Sequence, residues 1–335
     1  MGERRDGLAP DGGETTGVFS CRTKIHHADR GDDADAGVKR TNADAQVAKL
    51  SCVLRGYFVD DYVKHFVDKA DAERIRSMPP LINRGYYARH VMVKSLLMHF
   101  LTSFQTSNVD TSPQVVVLGC GFDTLYFQLR KTGELAADVR YIECDFPDVV
   151  AMKRSIMDGI GLRTQGSYSL IGSDVRKVDE LVARLDESGV RRDVPTFFLA
   201  ECVLVYMDVD LSNELLRRIA SNFETAMCTV YEQVNPKDAF GRQMMVNLQA
   251  RGCPLKGVLD SLEDQRQRML QCGWKDSRSE NLLQLFNSCI PRDELTRINR
   301  LEMLDEEEEW NLLLQHYCIT TARNSDAIPL FRDIL

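Results

Sequence analysis

The residues best placed to do chemistry in this sequence are acids and glycines that close short apolar runs. Gln114–Leu118 ends in Gly119-Cys120-Gly121, and Arg140–Cys144 ends at Asp145 with Glu143 just inside it. Tyr168–Gly172 leads to Asp174, and Thr196–Glu201 closes on Glu201. Apolar, β-branched runs of this length read as buried parallel strands. In a doubly wound sheet, ligands bind outside the carboxyl ends of such strands. The glycines admit a close-lying ligand and positive φ angles. Glu143 and Asp145 both fall about twenty residues later, where a carboxylate accepts from a ribose diol. The plainer role for either is a turn or cap acid.

A dinucleotide site reads G-x-G-x-x-G, with the diphosphate at a helix N-terminus. Here the third glycine is missing, and Asp123 stands where that phosphate charge would lie. A carboxylate repels a diphosphate but suits an adenosyl ligand bearing a sulfonium, so the pattern favours S-adenosylmethionine over NAD. Six histidines without ligand spacing and ten cysteines without a C-x-x-C pair predict neither a metal site nor a disulfide framework. Buried free thiols fit a reducing compartment, and the cytosol is the expected location. The net charge of −8 and the lack of a basic stripe argue against nucleic acid. No apolar run is long enough to span a bilayer.

The elements that must position these residues follow from periodicity. Residues 1–44 are rich in Gly, Asp, Arg and Thr and read as a disordered tail. A single ordered domain is expected over 45–335. Helices are expected over Ala45–Val53 and Asp60–Val67, with Asp60 as the cap of the second. Pro79–Pro80 breaks the chain. Tyr86, His90, Val93, Leu97 and Phe100 then recur at helical spacing, making Gly85–Phe104 amphipathic. Residues 45–110 thus form a helical cap. Strand and helix next alternate at least four times, with a fifth strand at Met227–Glu232 and a last one at His316–Thr321. Residues 235–290 read as a helical insertion beside the sheet, helical through Phe240–Trp274.

Six motifs in order make the reading specific. They are Asn83-Arg-Gly-Tyr-Tyr-Ala-Arg89, Leu118-Gly-Cys-Gly-Phe-Asp-Thr124, Glu143-Cys-Asp-Phe-Pro147, Gly172-Ser-Asp-Val-Arg176, Ala200-Glu-Cys-Val-Leu-Val-Tyr-Met207 and Tyr231-Glu-Gln-Val-Asn235. Together, from about Lys49 to Cys318, the chain resembles the leucine carboxyl methyltransferase family. That resemblance implies a class I S-adenosylmethionine-dependent methyltransferase, an α/β Rossmann-like doubly wound sheet whose N-terminal and insertion helices form a lid. It implies cofactor contacts from Lys49, Arg89, Gly119, Asp145, Asp174, Val175 and Glu201, with Tyr206 lining the substrate pocket. Val175 stands where the family usually has leucine. Cys120 replaces the usual alanine and is expected to make the site sensitive to oxidation.

The activity so implied is methyl esterification of the C-terminal leucine carboxylate of the protein phosphatase 2A catalytic subunit, which regulates holoenzyme assembly. The partner would present its tail and body to a monomeric enzyme, with residues 240–274 as part of the docking surface. A terminal carboxylate is already ionised at pH 7, so no general base is required. Arg89 is expected to orient it and Lys49 to add electrostatic field, the two acting with Tyr206 as the catalytic set. The alternatives are a same-fold enzyme acting on a small carboxylic acid or on tRNA, and a phosphatase-binding assembly factor without turnover. A family relative in wybutosine tRNA synthesis carries a C-terminal propeller that this sequence lacks, which weighs against tRNA.

Overall fold

The computed structural model describes residues 35–105, 112–164 and 166–329, and Asp35 opens the unit that holds the sheet. Its centre is a seven-stranded sheet in the order β3-β2-β1-β4-β5-β7-β6. β1 (Gln114–Leu118), β2 (Arg140–Asp145), β3 (Tyr168–Gly172), β4 (Thr196–Glu201) and β5 (Ala226–Gln233) are parallel, while β7 (Tyr317–Arg323) runs antiparallel to β5 and to β6 (Asp276–Asn281). Strand order reverses between β1 and β4, the point where such sheets open a crevice. Alternate side chains build two cores. Val115, Val117, Phe197 and Leu199 face one, with Leu97 and Phe100 of α3 (Pro80–Gln105). Val116, Leu118, Phe198 and Ala200 face the other, with Leu181 of α6 (Val178–Glu187) and Leu215 of α7 (Val209–Asn222).

The remaining helices are α1 (Ala36–Leu54), α2 (Ala72–Arg76), α4 (Leu125–Thr132), α5 (Pro147–Gly159), α8 (Ala239–Ala250), α9 (Leu262–Gln271), α10 (Leu282–Cys289), α11 (Arg292–Asn299) and α12 (Glu307–Gln315). Pro80 and Pro147 each open a helix at its first position, where the missing N–H costs nothing. α3 is pinned from far along the chain. Asn83 Nδ2 donates to Glu302 at 3.0 Å, Tyr87 Oη donates to Glu294 at 2.5 Å, and Gly85 packs beside Leu313.

Three expectations need correction. Helix α1 starts at Ala36, not Ala45, so the tail predicted over residues 1–44 overlaps its first turns; residues 1–34 of that prediction lie outside the described residues. Asp60–Val67 is not a helix but a single 3₁₀ turn, Val63–His65. The 235–290 insertion is not wholly helical: residues 251–261 interrupt it, and β6 joins the sheet itself. Among the described residues no helix is long and apolar enough to cross a membrane.

One buried ion pair fastens β2 to α5. Lys153 Nζ donates to Glu143 Oε2 at 2.5 Å, Tyr168 Oη donates to the same oxygen at 2.5 Å, and both charges are fully buried. Removing one partner from such a pair strands a charge and costs about 3–5 kcal/mol. Lys153→Met should therefore lose stability on that scale in urea unfolding, and adding Glu143→Gln should recover part of it. An unchanged midpoint in the single variant would show that the pair holds nothing together.

Candidate functional site

The site is assembled where β1 and β4 end. Gly119 and Gly121 have φ of +65° and +50°, and a Cβ on Gly119 would lie 2.5 Å from Val203 Cγ2, so the turn needs glycine both for its dihedral and for its neighbour. Asp145 fixes this turn: Oδ2 accepts from Gly121 N–H and Oδ1 from Phe146 N–H, each at 2.7 Å. Burial pushes its carboxyl up, against the pull of those two N–H groups. Glu143, the other candidate for a ribose acceptor, is spent on Lys153 and Tyr168. Asp145 alone of the two stands at the strand end.

Helix α3 brings Tyr86, Arg89, His90 and Val93 to one side of a narrow cleft, opposite Asp123, Leu125 and Glu201. Positions 86, 89, 90 and 93 share a helix face. Arg89 Nε donates to Glu201 Oε2 at 2.7 Å, and its guanidinium lies over the rings of Tyr231 (5.0 Å) and Tyr86 (5.7 Å). Burial opposes its charge, but Glu201 together with Cys202, Tyr86 and Tyr231 more than offsets this and holds the pKa well above the usual value. Among the described residues, Nη1 and Nη2 donate to no protein acceptor. The fork is thus held from behind and open toward the cleft. Glu201 is followed by Cys202, a non-glycine residue at φ +54° whose N–H donates to Tyr231 O at 2.7 Å.

Lys49 corrects an expectation. Its Nζ is fully buried and reaches Asp60 Oδ2 at 2.9 Å, Asp123 Oδ1 at 3.0 Å and Thr124 Oγ1 at 2.6 Å. Burial alone would lower its pKa, but Asp123 and Asp60 reverse this and hold the ammonium above its usual range. One cation against two carboxylates leaves a net −1, so Lys49 supplies no uncompensated positive field. It holds Asp123 in place at the cleft wall instead. Asp60, read in the sequence as a helix cap, does accept from Val63 N–H at 3.0 Å, and it also accepts from Thr124 Oγ1 at 2.6 Å.

The other expected residues are not among those that line this cleft. Asp174 is gripped through both oxygens by Arg176, which also pairs with Asp35 at 2.6 Å. Phe146 carries two cations over its ring, Arg176 at 5.3 Å and Lys39 at 5.0 Å. Val175 packs into the second core. Tyr206 does not line the cleft; it packs with Met244 and Leu255, within electrostatic reach of Cys202 and Arg89. Cys120 is buried and its thiol is pushed well above the usual value by that burial, so little thiolate forms and the expected oxidation sensitivity does not follow. The contact of Tyr231 with Arg89 was missed, although the sixth motif contains Tyr231, because it is made only in three dimensions.

The site thus offers a glycine turn, an open guanidinium fork and an anionic wall. That set suits a ligand with a carboxylate and a cationic centre, and it does not suit a diphosphate. Among the described residues no group of three or more His, Cys, Asp or Glu side chains is arranged to hold a metal ion.

Comparison with known proteins agrees. The sequence profile of leucine carboxyl methyltransferases matches residues 42–220. A leucine carboxyl methyltransferase 1 homolog from Arabidopsis thaliana is 37% identical, the alignment covering 89% of this chain and 92% of that protein. The tRNA wybutosine-synthesizing protein 4 of Rattus norvegicus is 33% identical over 88% of this chain but only 45% of its own length. A solved structure described as a methyltransferase from Thermobifida fusca superposes with a TM-score of 0.54 at 15% identity, covering 84% of this chain and 94% of that one; it shares the class I methyltransferase fold.

The Lys49 cluster has a pH signature. Asp60 and Asp123 are held below the usual carboxylate range: burial raises each, and Lys49 together with the surrounding hydrogen bonds more than offsets it. Folded protein therefore binds fewer protons than unfolded protein, and the resulting stability is present above about pH 4 and lost as pH falls further. In Lys49→Met the two carboxylates face each other unpaired. That variant should lose about 3–5 kcal/mol at pH 7 and become more stable, not less, as the pH drops toward 4. Unfolding curves across that range would show the inverted slope, and parallel profiles would refute it.

Proposed function

The chain belongs to the leucine carboxyl methyltransferase family, and from that premise we propose that it methylates the C-terminal leucine carboxylate of a protein phosphatase 2A catalytic subunit. S-adenosylmethionine is the proposed donor; bound, it would supply a methyl group activated on a positively charged sulfur. The residues suited to hold it are the backbone of Gly119–Gly121, Asp145, Asp174 and Glu201, with Arg89 at the methionine end.

The observation that carries the reading is the Arg89 fork, fastened by Glu201 and two aromatic faces and open on its outer side. A guanidinium grips a carboxylate through two parallel N–H bonds, so it can fix the aim of the substrate anion, of the methionine carboxylate, or of both. The chain-end carboxylate, with a pKa near 3.5, arrives already ionised. The cleft contains no strong base: burial and the nearby Lys49 push His90 down to about 3. The protein's work is therefore placement and exclusion of water, effects that can be worth several powers of ten in rate. Too firm a hold on the attacking oxygen would favour the ground state, and the Glu201 pairing tempers the Arg89 charge. The same reading takes the enzyme to be a cytosolic monomer whose residues 240–274 meet the phosphatase body.

Labelled methyl should pass from S-adenosylmethionine to the phosphatase catalytic subunit, and removing the terminal leucine should abolish it. Arg89→Ala should lower kcat/KM by about 10²-fold or more, the scale for losing one charge-stabilising donor, with Arg89→Lys intermediate. Labelling that survives leucine removal, or transfer to tRNA with the phosphatase untouched, would overturn this assignment.

A further inference from the structure

His90 lies next to Arg89 on the same face of α3 and lines the same cleft, yet the mechanism above gives it no role except that of a poor base. Its ring stacks on Phe58 with centroids 3.9 Å apart and planes within 9°, and Phe58 stacks in turn on Tyr86 at 6.5 Å. The ring plane is thereby fixed. Only its edge, where both nitrogens lie, is left for polar contact, and among the described residues neither nitrogen has a hydrogen-bond partner. An imidazole oriented by stacking, unpartnered and set beside an open guanidinium is a binding group without its ligand.

Resting on the function proposed above, we propose that the His90 imidazole donates a hydrogen bond to the substrate's terminal carboxylate, a further donor beside the Arg89 fork. The electrostatics suit this role. Burial first, and then Lys49, lower its proton affinity, while Asp123 and Asp60 pull the other way and Lys94 adds to the lowering. These groups face it from α1, from the Asp60 turn, from the glycine turn and from α3, and Glu134, paired with Lys94, also lies within electrostatic reach of the ring. The outcome is a neutral ring through the physiological range, with one N–H to give. A second cation here would deepen the well of the reactive anion and slow its attack. A neutral donor orients the carboxylate and leaves its charge available.

The test compares His90→Phe, which keeps the stack on Phe58, with His90→Gln, which restores a donor. Three readouts are needed: kcat/KM toward the phosphatase catalytic subunit, calorimetric affinity for S-adenosylhomocysteine, and binding of the phosphatase to enzyme loaded with S-adenosylhomocysteine. His90→Phe should lower kcat/KM about tenfold to a hundredfold, as expected for losing a hydrogen bond to a charged group. It should weaken phosphatase binding and leave the affinity for S-adenosylhomocysteine within about twofold. His90→Gln should recover a large part of the loss, and wild-type kcat/KM should show no step between pH 6 and 8. Full activity in His90→Phe, an equal loss of S-adenosylhomocysteine affinity, or a pH step that vanishes in His90→Phe would each overturn the proposal. A wild-type enzyme that leaves the phosphatase unmethylated overturns the functional reading and this inference together. An active wild type with an unaffected His90→Phe overturns the inference alone.

Discussion

The contact on which the site depends is the pairing of Arg89 with Glu201. A guanidinium over two tyrosine rings has its position set, and one N–H to a strand-end carboxylate sets its reach. Neither partner could do this alone. Glu201 is aimed by the sharp backbone at Cys202, a conformation that costs a non-glycine residue about 1–2 kcal/mol. Arg89 is aimed by a helix that must be docked onto the sheet. Fixed donors of this kind contribute to rate because they need no reorganisation as charge moves.

Charge in the cleft is arranged in pairs rather than left free. Arg89 and Glu201 cancel, whereas Lys49 with Asp60 and Asp123 leaves one negative charge near the glycine turn. Such a wall attracts a cationic ligand and repels a bare anion. A carboxylate therefore finds the cleft hospitable mainly beside the open face of Arg89, and the two kinds of ligand are sorted to different sides of one small space. The same anionic wall is what makes the turn hostile to a diphosphate, although its glycines resemble those of dinucleotide sites.

How much of this was legible in the sequence depended on whether the cause was local. β1 and β4 announced themselves with the bounds they adopt, because a strand buried on both faces is largely apolar. β3 was also read with its bounds, although it is an edge strand and only partly buried beyond Tyr168. β6 could not be read: Asp276–Asn281 is polar and edge-placed, and it is a strand only because β7 lies beside it. The first turns of α1 were also hidden, since Ala36–Ala45 has few apolar residues and is ordered by partners such as Asp148 and Arg176. Arg89 was found through its motif. The Tyr231 half of its ring bed and the three partners of Lys49 were not, because nothing local marks Tyr231 as a neighbour of Arg89, or Asp60, Asp123 and Thr124 as neighbours of Lys49.

The fastening of α3 bears on when the protein becomes competent. The helix carries Arg89 and His90, but its anchors lie 112 residues downstream at Glu201, 207 at Glu294 and 219 at Glu302. Synthesis proceeds from the N-terminus at about 5–20 residues per second, so tens of seconds separate the birth of this helix from that of its last support. Contacts of such sequence separation form late and slowly. A chain interrupted before residue 302 could still lay α3 on α1, β1 and β4, but without the anchors that hold its first turns. The helix that carries Arg89 and His90 is thus fully fastened only after synthesis has passed Glu302.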